Sequence, residues 1–356
     1  MTSTRRPARL AGLVALGLAL PAAAIDLPAF LASWLVAWWY LVGLVLGGMA
    51  NLWMHRLTGG RWGEALRPAA LRAAQGLPWL LLCAVPLAAG MGTLYPWVGG
   101  TGQQGFVGAW LQPGPFALRA TLYGALWWWL ARPASLAHKG RAAASLALYL
   151  FSGTLAAVDL LASLVPGWSS SGFGLVVLSG QALSGAALGT LVASRLADRP
   201  AAPPPPTEST PVPVGRDLGN LLLMWLMLWG YLAFMEFLVI WSEDLPRETV
   251  WYLPRLRTGW AGVGAALALL QLAVPLLALL QRRIKDRPAP LAAVAALLLG
   301  TQLLNTAWLI LPSVAPHGWL GWWCVPLLTA AMALGVYGGP PLRGLGKAPG
   351  VAHAGR

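Results

Sequence analysis

Charge is scarce in this sequence. Asp, Glu, Lys and Arg make up 10% of its 356 residues, against roughly 25% in a soluble globular domain. That deficit excludes a water-soluble fold with a charged exterior. Cysteine is scarcer still: Cys83 and Cys324 are the only two. Each stands alone in an apolar segment with no Cys-x-x-Cys partner, so both read as inert helix residues. Histidine offers four side chains, His55, His138, His317 and His353. No two of them fall at facing depths of apolar segments, as the axial ligands of a haem held between membrane helices would. No His, Cys, Asp and Glu grouping has metal-ligand spacing either. The sequence therefore implies no haem and no metal site, and any redox centre this protein serves must be carried by something else.

What the sequence has in abundance is apolar length. Hydrophobic residues make up 58% and mean hydropathy is +0.65. These residues fall in blocks separated by short basic or Gly/Pro-rich breaks. Ten blocks are long enough to be spans: 10–25, 30–54, 77–95, 116–131, 142–165, 173–194, 218–241, 260–281, 291–311 and 319–337. The expected class is an all-α integral membrane protein of about ten transmembrane helices.

The net charge of +13 raises the question of nucleic acid, but the placement of the charges answers it. Numbering connections from a cytoplasmic N-terminus, the basic residues collect in alternate segments. Arg5, Arg6 and Arg9 precede the first span, and Arg56, Arg61, Arg67 and Arg72 fill the second connection. Arg132, Lys139 and Arg141 fill the fourth, and Arg195, Arg199 and Arg216 the sixth. Arg282, Arg283, Lys285 and Arg287 fill the eighth, and Arg343, Lys347 and Arg356 lie in the tail. Twenty of the 24 Lys and Arg residues thus fall on one side. This is the positive-inside pattern with both termini cytoplasmic. A nucleic-acid groove would gather its charge on one folded surface instead, so nucleic acid is excluded as a partner. Arg5 to Ala24 also has the shape of a secretory signal peptide. A retained first helix is preferred, because another span follows at once. Pro200 to Pro213, with four consecutive prolines at 203–206, reads as an extended polyproline linker on the cytoplasmic side.

Polar groups inside spans are costly, so each is a functional candidate. Asp159 (fifth span) and Glu236 (seventh) each lie about six residues, or ~9 Å, below the outer end. Ser163 follows Asp159 by one helical turn. Gln181, Gln271, Gln302 and Asn305 complete a polar set at mid-membrane or nearer the outer side. A desolvated carboxylate there could serve a proton path or a quinone site. The competing reading is structural. Amides in membrane helices often bond neighbouring helices, and Asp159 could pair with Arg119 or cap a helix end near Pro166.

The seventh connection carries charges on the outer side: Glu243, Asp244, Arg247, Glu248, Arg255 and Arg257, framed by Trp241, Trp251, Tyr252 and Trp260. Three acids and three bases cancel, so orientation is not violated. Charges and aromatics together suit a surface where another subunit docks or a lid over a site. The plainer reading is an interfacial aromatic belt, to which Trp241 and Trp260 would belong.

At this connection a family resemblance emerges. Tyr231-Leu-Ala-Phe-x-x-Phe-Leu-x-Ile-Trp241-Ser, followed by Leu245-Pro246-x-Glu248-x-x-Trp251-Tyr252, Arg255 and Gly259-Trp260, resembles the ActF family. These are NrfD-like membrane subunits of alternative complex III, a bacterial quinol:cytochrome c oxidoreductase. Further blocks agree in order: Leu57-Thr58-Gly59-Gly60-x-Trp62, Leu94-Tyr95-x-Trp97, Phe116-x-x-Arg119, and Asp159-x-x-x-Ser163-Leu164-x-Pro166-x-Trp168-x-Ser170-x-x-Phe173-Gly174. The resemblance covers roughly residues 30–310. It implies two four-helix bundles, 30–166 and 167–311 with the linker at 200–214 inside the second. These would be flanked by peripheral helices in 1–29 and 312–356. It also implies a place in the bacterial cytoplasmic membrane, in contact with membrane lipid, beside a second NrfD-like subunit and periplasmic haem c and iron–sulfur subunits. A quinone is the one cofactor it allows. The chain departs from the family pattern at Glu236, where an amide is usual, and at Gln271, where His is usual. A secondary transporter and a stand-alone assembly factor are the competing functional expectations.

Overall fold

A computed structural model describes residues 5–100, 105–197 and 214–338. The proline-rich linker, apart from Val214, and the basic C-terminal tail lie outside the described residues. All secondary structure among the described residues is helical. Seven helices are long and apolar enough to cross a membrane, or eight if a bent pair, Trp62–Ala74 with Leu77–Ala89, counts as one span. The chain is therefore a multi-pass, all-α membrane protein.

Ten helices carry the description: α1 Arg5–Ala19, α2 Leu27–Thr58, α3 Trp62–Ala74, α4 Pro113–Leu130 and α5 Lys139–Leu160. After them come α6 Phe173–Ala197, α7 Val214–Glu243, α8 Trp260–Leu280, α9 Pro288–Val314 and α10 Gly321–Gly338. The helices at the fourth and tenth expected spans, α4 and α10, are 18 residues each, at the short limit for crossing. The third expected span, 77–95, is not one helix. It breaks into Leu77–Leu82, Val85–Ala89 and Met91–Leu94. Pro78 and Pro86 each stand at the second position of a new piece, where proline cannot donate to the turn before it. Carbonyls freed within a membrane need new donors. Trp34 of α2 supplies one, its Nε1 donating to Cys83 O at 2.8 Å, and Trp38 Nε1 adds a second donor, at 2.8 Å, to Leu80 O, which the Cys83 N–H also serves at 3.0 Å.

The core is the crossing of α2 and α6. Their backbones touch, because a Cβ at Gly47 would fall on the Gln181 carbonyl and one at Gly185 on the Gly47–Gly48 peptide. Small residues permit such close approach between membrane helices, where packing replaces the hydrophobic effect as the driving force. Asn51 locks the crossing. Fully buried on α2, it donates to Gly47 O at 2.8 Å and to Ala182 O of α6 at 2.9 Å. It accepts from Trp225 Nε1 of α7 at 2.8 Å. Around this pair, α9 packs on both α2 and α6, α5 on both from another side, and α7 on α6. α1 and α10 pack on each other, with α10 against α2. α1, α7 and α8 keep most of their apolar surface outward, as lipid-facing helices do.

Helix α8 contains a π turn, Ala268–Ala273, with Pro275 just beyond it. The missing proline N–H breaks the ladder there, and the widened turn restores its register.

Candidate functional site

Where the C-terminal end of α5 meets the start of α4 and the short helix Gly105–Trp110, Asp159 lies under four donors. Arg119 Nε reaches Oδ2 at 2.8 Å and Arg119 Nη2 reaches Oδ1 at 3.2 Å. Trp110 Nε1 donates to Oδ1 at 2.8 Å and the Tyr123 hydroxyl to Oδ2 at 2.9 Å. The guanidinium also lies over the Trp110 ring, 3.9 Å from its centroid, an added cation–π attraction. The Asp159 side chain is 3% exposed and that of Arg119 14%. Of the two structural readings of Asp159, pairing with Arg119 is the one observed. Each carboxylate oxygen already takes two donors, so the group has little capacity to accept anything further. Ser163 does not join the cluster. It sits in a short 3-10 turn, Ala162–Leu164, and its hydroxyl donates to the Asp159 main-chain carbonyl.

Glu236 is in a different condition. Half-buried on α7, it accepts from Ser170 Oγ at 2.5 Å. Tyr252 and Arg255 lie within electrostatic range of it. It is the carboxylate of the set with acceptor capacity to spare.

Arg255, expected on the docking surface, is fully buried instead. Its guanidinium stacks on the Trp251 ring at 3.6 Å and donates to Trp251 O. It also reaches the end of α9, at Trp308 O (3.1 Å), Leu309 O (2.6 Å) and Ser313 Oγ (2.8 Å). Burial pushes Arg255 down to about 9, which leaves it charged at neutral pH. An acceptor freed by sequence helps to draw it in: Pro312, four residues after Trp308, has no N–H to give the Trp308 carbonyl. Trp251 in turn stacks on Trp168 at 4.3 Å, and Trp168 Nε1 donates to Glu248 O at 3.0 Å. Trp260 also departs from the expected belt, buried with its ring stacked on Trp322 at 5.2 Å. Trp241, Glu243, Asp244, Arg247 and Arg257 are exposed, and Glu248 partly so. The connection between α7 and α8 is thus clamped down by its aromatics and Arg255, with its other charges exposed or partly so.

The amides of α6, α8 and α9 do not join either carboxylate in a hydrogen bond. Gln302 and Asn305 of α9 line a cavity of about 20 Å³ with Gly180, Gln181 and Ser184 of α6 and Tyr40 of α2. That is room for one water. Tyr149 of α5 donates to Gln181 Oε1 at 2.6 Å, while Gln302 Nε2 has no partner in the chain. Gln271, in the π turn of α8, is completely buried with both side-chain polar atoms unpartnered.

The set of ionisable and polar candidates missed Asn51, Trp110, Tyr123, Tyr149 and Ser170 as side-chain partners. An amide inside a 32-residue apolar helix was a readable signal for Asn51. The other four gave none, since single hydroxyls and indoles acquire a role only through their neighbours. Among the described residues no three His, Cys, Asp or Glu side chains come together. No protein-family model and no curated protein matches the chain.

Proposed function

We propose that the protein is a non-haem membrane subunit of a respiratory quinol-oxidising complex of the alternative complex III type. It sits in the bacterial cytoplasmic membrane with both termini cytoplasmic. In this reading its ten spans form two four-helix bundles meeting at the α2–α6 crossing, with α1 and α10 as flanking helices. Its partners are a second NrfD-like subunit and periplasmic haem c and iron–sulfur subunits.

One observation carries the reading: all the sequence blocks behind the resemblance except Leu57–Trp62 converge on one face, the outer one in this reading. Phe116-x-x-Arg119 and the Asp159 block meet in the Arg119–Asp159 pair. Tyr95 and Trp97 pack their rings on Phe116 at 5.2 and 5.0 Å, and the Tyr95 hydroxyl donates to Leu160 O at 3.0 Å. Trp168 of the Asp159 block stacks on Trp251, which follows the Trp241 block. Segments far apart in sequence thus supply one braced surface, as docking of extramembrane subunits would require. Within it, Asp159 is the brace and Glu236 the candidate for a proton path or quinone contact. Gln271, Gln302 and Asn305 line or border the membrane interior behind it.

The π turn and unpartnered amides also suit a secondary transporter. A cavity with room for one water does not accommodate a solute, so that reading ranks second. The deciding experiment is purification of the tagged protein from native membranes in mild detergent, with a reduced-minus-oxidised visible spectrum. Co-purifying haem c, iron–sulfur and NrfD-like subunits are the expected result; recovery of the chain alone without haem absorbance defeats the proposal. In the assembled complex, Glu236→Gln should lower quinol oxidation at least about tenfold and flatten its pH profile. Normal turnover in that variant would leave a scaffold or assembly role only.

A further inference from the structure

The cavity of about 20 Å³ where α2, α6 and α9 meet is shaped by two glutamines, each seated over a glycine of a neighbouring helix. A Cβ at Gly43 of α2 would come within 2.7 Å of Gln181 Cγ, and one at Gly180 of α6 within 3.1 Å of Gln302 Oε1. Glycine at these positions lets two long amides enter a region of close helix contact. Gln181 and Gln302 are 8% and 3% exposed. A strongly polar side chain inside a span is costly unless it finds a partner, and Gln302 Nε2 has none in the chain.

The hydrogen bonds made around the cavity define what it can hold. Tyr149 donates to Gln181 Oε1 at 2.6 Å, so Gln181 has its N–H groups left to offer. The lining hydroxyls have spent their protons on main-chain carbonyls. Tyr40 donates to Leu299 O at 3.0 Å, Ser184 to Gly180 O at 3.0 Å and Thr306 to Gln302 O at 2.8 Å. What each hydroxyl keeps is its lone pairs, while the Asn305 amide brings both a carbonyl and N–H groups. The lining thus combines donors with acceptors, and no charged side chain is among the described residues that form it.

We propose that this cavity is a binding site for one water molecule, shared by Gln302 and Asn305 of α9 with Gln181 and Ser184 of α6. The volume admits a single water and nothing larger. Water accepts from amide N–H groups and donates to hydroxyl lone pairs, so it serves both halves of the lining. A cation would face N–H donors with no anion to balance its charge, and an anion would face the lone pairs. An apolar occupant would leave Gln302 unserved. The water ties α9 to α6 at the level of Gly43, eight residues or ~12 Å along α2 from the Asn51 clamp. It does so whether the chain serves a respiratory complex or another membrane function.

The test pairs a cryo-EM map of the full-length protein in nanodiscs, at a resolution that shows ordered water, with thermal unfolding of Gln302→Met in detergent. The map should show one isolated peak within ~3 Å of the Gln302 amide. Methionine keeps the length of the side chain but not its hydrogen bonds, so Gln302→Met should lower the melting temperature by at least about 2 °C. In a dry cavity the same change would remove an unserved amide and raise it. Should Gln302→Met fail to fold, the wild-type map still decides. Three results would each overturn the assignment. One is no peak in a map that shows other buried waters. Another is a melting temperature unchanged or raised by Gln302→Met. The third is a wild-type melting temperature that rises in sodium but not in choline, with the rise lost in Gln302→Met, which would make the occupant a cation.

Discussion

Asp159 and Arg119 hold each other inside the bundle, so removing either charge strands the other. Breaking a buried pair on one side costs about 3 kcal/mol, and Asp159→Asn should lose that much stability in detergent unfolding. The double variant Asp159→Asn/Arg119→Gln should lose less than the two single losses added together. A fully additive result would mean that the pair contributes nothing as a pair. At Glu236 the expectation reverses. Its single short bond comes from Ser170, which glutamine can still accept, so Glu236→Gln should unfold with the wild type. A clear loss of stability there would make Glu236 another brace. Arg255→Met should be severe, because it leaves Trp251, Trp308 and Leu309 carbonyls without the donor that now serves them.

Between elements, the α2–α6 crossing is the least forgiving contact. A Cβ at Gly185 would meet backbone, which cannot swing aside as a side chain can. Gly185→Val should therefore cost about 3 kcal/mol, the upper end for overpacking, read by thermal unfolding in detergent. Asn51→Leu removes three hydrogen bonds at the same crossing. With ~0.6 kcal/mol for each such bond in a membrane protein, its loss is about 2 kcal/mol. At the basic end, Arg216 ties the start of α7 to Asp286 in the connection before α9. The bond to Arg216 holds the Asp286 carboxyl below its ordinary range. An acid lowered in the folded state contributes stability above its unfolded pKa, about 3.9, and loses it as pH falls through the lower folded value. The clasp should thus survive at pH 5 and fade only in stronger acid. Asp286→Asn should remove that acid-dependent component from a pH series of unfolding curves.

For the whole molecule, the proposed orientation puts Ser242 and Lys285 on opposite sides of the membrane. In a background lacking Cys83 and Cys324, Ser242→Cys should react with an impermeant maleimide added outside. Lys285→Cys should react only after the membrane is opened. The reverse pattern would invert the topology and remove the outer face from reach of periplasmic subunits.

The sequence by itself determined that the chain crosses a membrane several times as helices. Apolar length and the scarcity of charge are properties of composition along the chain, and no packing partner is needed to read them. It also showed which polar groups had to find partners, because a carboxylate or amide in a span is costly wherever the span is placed. Tertiary structure alone decided what those partners were. Asp159 met Arg119, Trp110 and Tyr123 because α4 and α5 lie side by side. Arg255 left the surface where a loop charge is expected because Pro312 leaves the Trp308 carbonyl of α9 without its helical donor and the Trp251 ring offers a face to stack on. The apolar block at 77–95 read as one span, yet it breaks before Pro86 and again at Gly90, and a tryptophan on α2 serves the Cys83 carbonyl at the first break. Hydropathy sums over a window and is blind to hydrogen-bond direction. Partner choice depends on which faces meet, and that is settled only when the helices pack.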